Sequence, residues 1–209
     1  MKMIIWINGA FGSGKTTAAY ELHKRIKNSC VYDPENAGFF IRKNSPAEAR
    51  LSQIDFQDIT LWRETNYKML KLITDNFDGI IIVPMTLVNP KYYDEIIGKL
   101  KSDGMEVRHF ILYASKETIL KHISKREFTS VKKLKQGRGD SFAANAIDRC
   151  IYSFDNYIKD EKIFADNKSV DDIVAEIAEK SSVELSFDKR SKLKKVFDRY
   201  FVLFKHIRK

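Results

Sequence analysis

The segment from Gly9 to Thr16 reads GAFGSGKT and matches the pattern G-x-x-x-x-G-K-[ST]. It follows an apolar run, Met3 to Ile7, that predicts a buried strand, and it precedes helix-forming sequence from Thr17 to Ile26. In this context the pattern predicts a phosphate-binding loop. The glycines let successive backbone N–H groups converge on one anion, and the helix that follows adds the positive end of its dipole.

The side chains of this loop predict a site for ATP with Mg²⁺. Lys15 is expected to reach the β- and γ-phosphates and to act in catalysis, and the Thr16 hydroxyl is expected to ligate the metal. The residues assigned to nucleotide contact in this segment are Gly9, Ala10, Phe11, Gly12, Ser13, Gly14, Lys15, Thr16 and Thr17. The alternative is a glycine-rich turn without a ligand, which the flanking strand and helix disfavour.

Alternating apolar runs and helical stretches predict the architecture. Strands are expected at Met3–Asn8, Ser29–Asp33, Gly79–Met85, Glu106–Tyr113 and Lys162–Asp166. Continuous apolar runs are typical of strands covered on both faces, so we expect the fold class to be α/β, a P-loop NTPase fold with a five-stranded parallel sheet covered by helices. Ligands of such sheets bind at the carboxyl ends of the strands.

Composition and charge exclude several classes of protein. No run approaches the roughly 18 apolar residues that span a bilayer, and the first residues lead directly into the loop, so no cleaved signal peptide is expected. Cys30 and Cys150 have no metal-type spacing, and reduced thiols in a cytoplasmic protein are the simplest interpretation. Of the net charge of +9, residues 188–209 carry +7, nine basic against two acidic side chains, which leaves +2 for residues 1–187. No nucleic-acid partner is therefore expected.

Polar residues near the predicted strand ends are candidates for substrate chemistry. Asp33 is placed to orient or deprotonate an acceptor hydroxyl, or to cap the helix that begins at Pro34. The helical insertion 34–76 and the segment after the third strand offer further candidate contacts, which are Asp55, Gln57, Trp62, Arg63 and Thr86. The alternative for the insertion is that Trp62 belongs to the core and that Arg63 is solvated.

The basic segment 125–141 resembles a lid that closes over a triphosphate. Arg126 and Arg138 are predicted to stabilise the transferring group, Arg149 to contact the nucleotide, and Asp166 with Asn167 to contact a purine edge. A solvated loop, and a turn or cap at Asp166, are the alternatives. The Mg²⁺-linked acid that often follows the third strand is absent, because the sequence there is Val83-Pro84-Met85-Thr86.

Residues 188–209 form the second informative segment. Large apolar side chains recur at helical spacing, namely Leu193, Val196, Phe197, Tyr200, Leu203, Phe204 and Ile207. Basic side chains lie opposite them, namely Lys192, Lys194, Lys195, Arg199, Lys205 and Lys209. This pattern is typical of a helix lying at an anionic membrane surface, which would make the protein peripheral at the inner face of the cell membrane. The alternative is that the apolar stripe packs on the protein's own core or on a second copy, so the chain is a monomer or a homodimer.

Several stretches together resemble the bacterial tunicamycin-resistance proteins. These are IIWINGAFGSGKT, VYDPE, DFQ…LWR, IIVPMT, ASKETILK, AAN.IDRC and the terminal KHIRK, and the resemblance runs over nearly the whole chain. The lid segment is longer here. The resemblance implies an ATP-binding protein that protects cells from tunicamycin, a nucleoside antibiotic with sugars and a fatty chain. It also implies the fold of small-molecule and nucleoside-monophosphate kinases.

Overall fold

A five-stranded parallel sheet forms the centre of the molecule. The computed structural model describes residues 2–49, 51, 55–129 and 139–207, and the side chains of all of these except 125–129, 139–144 and 203–207. The strands are β1 (Met3–Asn8), β2 (Ser29–Val31), β3 (Ile80–Pro84), β4 (Val107–Tyr113) and β5 (Glu161–Phe164). Their order across the sheet is β2-β3-β1-β4-β5, and every neighbouring pair is parallel. The predicted fold class and the five predicted strands are confirmed.

Helices cover both faces of this sheet. They are α1 (Lys15–Arg25), α2 (Glu35–Lys43), α3 (Thr60–Asn76), α4 (Pro90–Tyr93), α5 (Lys99–Ser102), α6 (Lys116–Thr129), α7 (Gly139–Asn156), α8 (Val170–Lys180) and α9 (Lys192–Ile207). Short 3-10 helices lie at Ala47–Ala49 and Phe56–Asp58, and a π-helical turn, Asp94–Gly98, joins α4 to α5.

Strand β1 shows why the central strands are apolar at every position. Met3, Ile5 and Ile7 pack in one buried cluster with α1 and α8, whereas Ile4 and Trp6 pack in another with α3 and the π-helical turn. Successive side chains of a strand point to opposite faces, so a sheet covered on both sides needs apolar residues throughout.

Some element boundaries differ from those predicted. Strand β2 ends at Val31, so Asp33 lies two residues beyond it. Helix α6 continues to Thr129, into the predicted lid segment 125–141, and therefore contains Arg126. Helix α7 begins at Gly139. Residues 130–138, the middle of the predicted lid, lie outside the described residues.

Helix α8 begins at a cap formed by its own first residues. The Ser169 hydroxyl accepts the Asp172 N–H, and the Asp172 carboxylate accepts the Ser169 N–H, which together form a capping box. The apolar stripe of α8, Ile173, Val174 and Ile177, is buried. Among the helices of the described ranges, none is long and apolar enough to cross a membrane.

Helix α9 is oriented with its charged face toward the rest of the protein. The described apolar side chains of its stripe are exposed, from Val196 at 48% to Leu193 at 83% and Phe197 at 72%. The interpretation in which this stripe packs on the protein's own core is therefore wrong for these residues. Lys195 and Arg199 are largely covered, because both contact carboxylates of the domain.

Those contacts form a group that we call the C-terminal ion network. Its acidic members are Glu21, Asp171, Asp188 and Asp198, and its basic members are Lys24, Arg190, Lys195 and Arg199. Glu21 on α1 is the most buried, with its side chain 2% exposed, and it takes two hydrogen bonds from the Arg190 guanidinium at 2.8 and 3.1 Å. Burial alone would raise the pKa of Glu21, but the hydrogen bonds from Arg190 and Lys24 outweigh it and lower that pKa.

Candidate active site

The loop between β1 and α1 has the backbone geometry of a phosphate-binding loop. Gly9, Gly12 and Gly14 have φ angles of 146°, 86° and 99°, a region that side-chain-bearing residues rarely adopt. The Ser13 N–H donates to the Ala10 carbonyl at 3.1 Å, which closes the turn. The loop ends at the amino end of α1, so backbone N–H groups and the positive end of the helix dipole are available to an anion there.

Lys15 and Thr16 lie in the first turn of α1 and are both half-buried. The Lys15 ammonium donates to the Ala10 carbonyl at 2.9 Å, so its side chain turns back over the loop that a triphosphate would enter. The Thr16 hydroxyl is a hard oxygen donor at the same turn, which suits Mg²⁺. The residues predicted to hold the phosphates and the metal therefore lie together.

Two side chains anchor the loop to the end of β3. The Asn8 side chain accepts the Gly9 N–H at 2.8 Å and the Leu87 N–H at 2.9 Å, and it donates to the Leu87 carbonyl at 2.7 Å. The Thr86 hydroxyl donates to the Gly9 carbonyl at 2.7 Å. Thr86, predicted as a substrate contact, thus holds the phosphate loop to its neighbouring segment. The anchoring role of Asn8, which directly precedes the first motif residue, was not predicted.

Helix α6 packs over the other side of the loop. A β-carbon at Gly12 would lie 2.9 Å from the Ile123 side chain and 3.3 Å from that of Ile119, so the close approach requires glycine there. His122 on α6 places its Nδ1 3.1 Å from the Gly12 carbonyl oxygen. This contact between the helix before the predicted lid and the loop was not predicted, because nothing in the local sequence around His122 signals it.

Asp33 lies at the carboxyl edge of the sheet, on the segment between β2 and α2. Its residue is 8% exposed, and its carboxylate accepts the Glu35 N–H at 3.0 Å. It therefore supports the start of α2, as the capping interpretation expects. A carboxylate has several acceptor positions, so the same group can also orient a hydroxyl.

Trp62 and Arg63 on α3 are both buried. The Trp62 side chain is fully covered, and its indole N–H donates to the Pro34 carbonyl at 3.0 Å, so it supports the segment that carries Asp33. Arg63 is 5% exposed, which contradicts the expectation that it would be solvated if it did not bind substrate. Its guanidinium pairs with Glu95, donates to the Gln57 carbonyl and to the Thr60 hydroxyl, and lies 4.4 Å from the centre of the Tyr92 ring.

Asp55 caps the short 3-10 helix of the insertion, and Gln57 lies within it. The exposed Asp55 carboxylate accepts the Gln57 N–H at 3.0 Å, and Gln57 is buried beneath it. Arg63 thus holds this segment to α3 and to the π-helical turn. Trp62 and Arg63 therefore support the segments that carry Asp33 and Gln57.

Asp166 follows β5 and is bound to the beginning of α6. Its carboxylate accepts the Ser115 N–H at 3.0 Å and the Ser115 hydroxyl at 2.9 Å. Hydrogen bonds from Thr118 and from Ser115 lower the pKa of Asp166. Asn167 is exposed and adopts a φ of 63°, which is typical of a turn. The turn-and-cap arrangement considered for this pair is therefore present.

The three predicted arginines differ in what the structure describes. Arg149 is exposed on α7. Burial raises the pKa of the Cys150 thiol, and the nearby positive charges of Lys15 and Arg149 partly offset that rise. Arg126 lies within α6, but its side chain lies outside the described residues, and Arg138 lies outside them altogether.

The fold and the loop together define a nucleotide-binding protein of the P-loop class with a kinase-like α/β fold. Residues 4–146 match the family described as AAA domain, and the chain belongs to that family. No curated protein matches the chain.

Solved structures with this fold include the tunicamycin resistance protein of Deinococcus radiodurans. It has a TM-score of 0.72 and 25% identity, and the match covers 90% of this chain and 100% of that one. A sugar kinase from Janibacter sp. follows with a TM-score of 0.59 and 13% identity, over 88% and 96% of the two chains. A shikimate kinase from Bacteroides thetaiotaomicron has a TM-score of 0.58 and 15% identity, over 88% and 100%. The two kinases show the likeness of fold alone.

Proposed function

We propose that the protein is an ATP-dependent phosphotransferase that confers resistance to tunicamycin by acting on tunicamycin or a similar nucleoside-like molecule. The single observation that carries this proposal is the loop from Gly9 to Thr16, folded for an anion, with the Asp33 carboxylate at the same edge of the sheet. The full-length similarity to a protein named for tunicamycin resistance supports the choice of substrate.

In this proposal the chain mainly positions charged groups around the transferred phosphoryl. Backbone N–H groups of the loop and the Lys15 ammonium bind the phosphates, and Lys15 leaves the Ala10 carbonyl to do so. Mg²⁺ held by Thr16, the phosphates and water would neutralise developing negative charge. Asp33 accepts or orients the proton of the acceptor hydroxyl. Arg126 and Arg138 supply positive charge from the lid.

A mass measurement on the antibiotic tests the reaction. The protein is incubated with ATP, Mg²⁺ and tunicamycin, and a mass gain of one phosphoryl group is expected. Lys15→Ala is expected to abolish transfer and ATP binding, whereas Asp33→Asn should bind ATP and lose transfer, because asparagine keeps the acceptor for the Glu35 N–H but removes the base. Asp172→Asn, the same substitution at an exposed helix cap, is the matched control. Transfer by Asp33→Asn at the wild-type rate would contradict the role given to Asp33.

A second candidate function is an ATP-dependent protein that binds and sequesters the drug without modifying it. The observation that favours it is the end of β3, where Pro84, Met85 and Thr86 stand in place of a metal-linked acid. Retention of unmodified tunicamycin that requires ATP would support this candidate. Transfer to a nucleotide, with no effect on tunicamycin, would instead indicate a nucleotide kinase with an endogenous acceptor.

We propose further that α9 places the protein on an anionic membrane surface. Its outward face combines Leu193, Phe197 and Phe201, which are 83%, 72% and 62% exposed, with the flanking Lys192 and Lys194. Apolar residues enter the headgroup boundary, and each basic residue near anionic lipid contributes about 1 kcal/mol of attraction. Because Lys195 and Arg199 contact the domain instead, the apolar residues would contribute most of the binding.

Flotation with phosphatidylglycerol vesicles tests the membrane proposal. The variant Phe197→Ser/Phe201→Ser is expected to lose most of the vesicle-bound fraction, because it removes two exposed rings from the outward face. Phe164→Ser, which removes a ring from β5 that is 57% exposed, is the control and should float like the wild type. Equal flotation of the double variant and the wild type would refute this use of α9.

A further inference from the structure

A hydrogen-bonded pair beneath the phosphate loop connects it to strand β4. Asn8 Nδ2 lies 3.2 Å from His109 Nε2, although the two residues are 101 positions apart in the sequence. Asn8 is fully buried, and the His109 side chain is 0% exposed. Neither residue belongs to the motif, and the mechanism proposed above gives His109 no task.

The hydrogen bonds of Asn8 fix the protonation of His109. Asn8 Oδ1 accepts two backbone N–H groups, those of Gly9 and Leu87, so the other end of the amide must be the NH2 group. One of its hydrogens goes to the Leu87 carbonyl, and the second points to His109 Nε2. Nε2 must therefore be an unprotonated acceptor, and the single ring proton must sit on Nδ1.

The groups around His109 agree with a neutral ring. Nδ1 lies 3.0 Å from Asp160 Oδ2, close enough for a hydrogen bond but off its ideal direction. Tyr93 packs edge-on against the ring at 5.3 Å and also hydrogen-bonds Asp160. Lys101 pairs with Asp160 at 3.7 Å and contributes a nearby positive charge. Burial, with a smaller effect of Lys101, outweighs Asp160 and lowers the pKa of His109.

We propose that His109 is a positioning residue for the nucleotide site, and that its neutral form holds Asn8 in the orientation that fixes the phosphate loop. Protonation would place an N–H of His109 against the Asn8 NH2 group. Two donors cannot share that contact, so Asn8 would have to give up its bonds to Gly9 and Leu87. The loop would lose its anchor to the segment after β3, and nucleotide affinity would fall with pH. This inference rests on the proposed function only in taking ATP as the ligand.

Calorimetric titration with ATP and Mg²⁺ between pH 8 and pH 5.5 tests the role of His109. Wild-type affinity is expected to fall as the pH approaches 5.5, by about tenfold at most, because the pKa of His109 lies below its ordinary value and the ring is only partly protonated there. His109→Gln places an uncharged acceptor near the position of Nε2, so it should bind like the wild type at pH 8 and keep that affinity at pH 5.5. His109→Phe keeps the ring without the acceptor and should bind more weakly at every pH.

Variants of the other histidines separate this effect from competing ones. His23→Gln, an exposed position on α1, should leave the pH profile unchanged. His122→Gln tests the histidine that touches the Gly12 carbonyl. The inference would be overturned if the pH dependence of ATP affinity disappeared in His122→Gln and persisted in His109→Gln. It would also be overturned if His109→Phe bound ATP with wild-type affinity.

A spectroscopic readout keeps the inference testable if the proposed function fails. Should the wild type bind no ATP at any pH, the function proposed above is wrong. Nitrogen-15 NMR of labelled histidine then decides: the inference requires that neutral His109 at pH 8 be the Nδ1–H tautomer. It also requires faster amide exchange at Gly9 and Leu87 in His109→Phe than in His109→Gln. An Nε2–H tautomer, or equal exchange in the two variants, would overturn it.

Discussion

Replacing Glu21 by glutamine tests whether the C-terminal ion network holds α9 to the domain. The Glu21 carboxylate is 2% exposed and contacts three cations, Arg190 at 2.8 Å, Lys24 at 3.1 Å and Arg199 at 3.2 Å. Glutamine has nearly the same shape, so the substitution removes the negative charge with little change in packing. The three cations are then left facing one another beside α1.

The expected cost follows from how exposed these partners are. Removing one member of a fully buried pair destabilises a protein by about 3–5 kcal/mol. Here the side chains of Arg190, Arg199 and Lys24 are 15%, 19% and 29% exposed, and Arg190 keeps Asp188 and Asp198 as partners. Partial hydration and the remaining partners reduce the loss, so we expect the free energy of unfolding to fall by about 2 kcal/mol.

Urea denaturation at pH 7 measures this change, and trypsin digestion reports whether α9 is released. Faster cleavage at Lys192 and Lys194 is expected in Glu21→Gln than in the wild type. Glu161→Gln is the matched control, because Glu161 is 48% exposed and pairs with Lys180 at the surface. That change should cost about 0.5 kcal/mol or less. Equal stabilities of the two variants, with α9 equally resistant, would refute the reasoning.

Three further perturbations test the fold around the site. Hydrogen bonds lower the pKa of Glu21 and of Asp188 below their unfolded-state values. The stabilisation that these two carboxylates contribute is therefore complete above about pH 5 and is lost as the pH falls through the acid range. Equal resistance of α9 to trypsin after brief exposure to pH 7 and to pH 3 would contradict this. Trp62→Phe removes the hydrogen bond to the Pro34 carbonyl and leaves a small cavity. The free energy of unfolding, measured by urea titration, should therefore fall by about 2 kcal/mol. No loss would mean that the indole is not buried as described. Gly9→Ala would place a β-carbon 2.7 Å from a backbone carbonyl oxygen of β4, so ATP titrations should show loss of binding, and normal affinity would contradict the loop geometry.

The sheet and the phosphate loop could be predicted because their signals are local. Continuous apolar runs such as Ile80 to Val83 indicate strands covered on both faces, and glycines at fixed spacing indicate a turn that only they adopt easily. The capping box at Ser169 is equally local. Its first and fourth residues specify where α8 begins, whatever packs on the helix.

The roles of other residues could not be predicted because they depend on partners distant in sequence. An amphipathic pattern shows which side chains of α9 share a face, but it does not show which face turns inward. That choice depends on Glu21, which lies 169 residues before Arg190. From the sequence alone Arg63 is expected at the surface, because its partners, Glu95 and the Gln57 carbonyl, come close to it only in the folded chain. Asn8 and His109 likewise meet only in the folded sheet.

The outward face of α9 has a consequence for how the protein behaves during purification. A row of phenylalanine and leucine side chains in water tends to be covered, either by lipid or by the same row on another molecule. The outward face of α9 can be covered by lipid or by a second molecule, but not by both at once. If α9 binds lipid as proposed, self-association in detergent-free buffer and adsorption to vesicles should compete, so that added lipid lowers the self-associated fraction and the vesicle-bound fraction falls as the protein concentration rises.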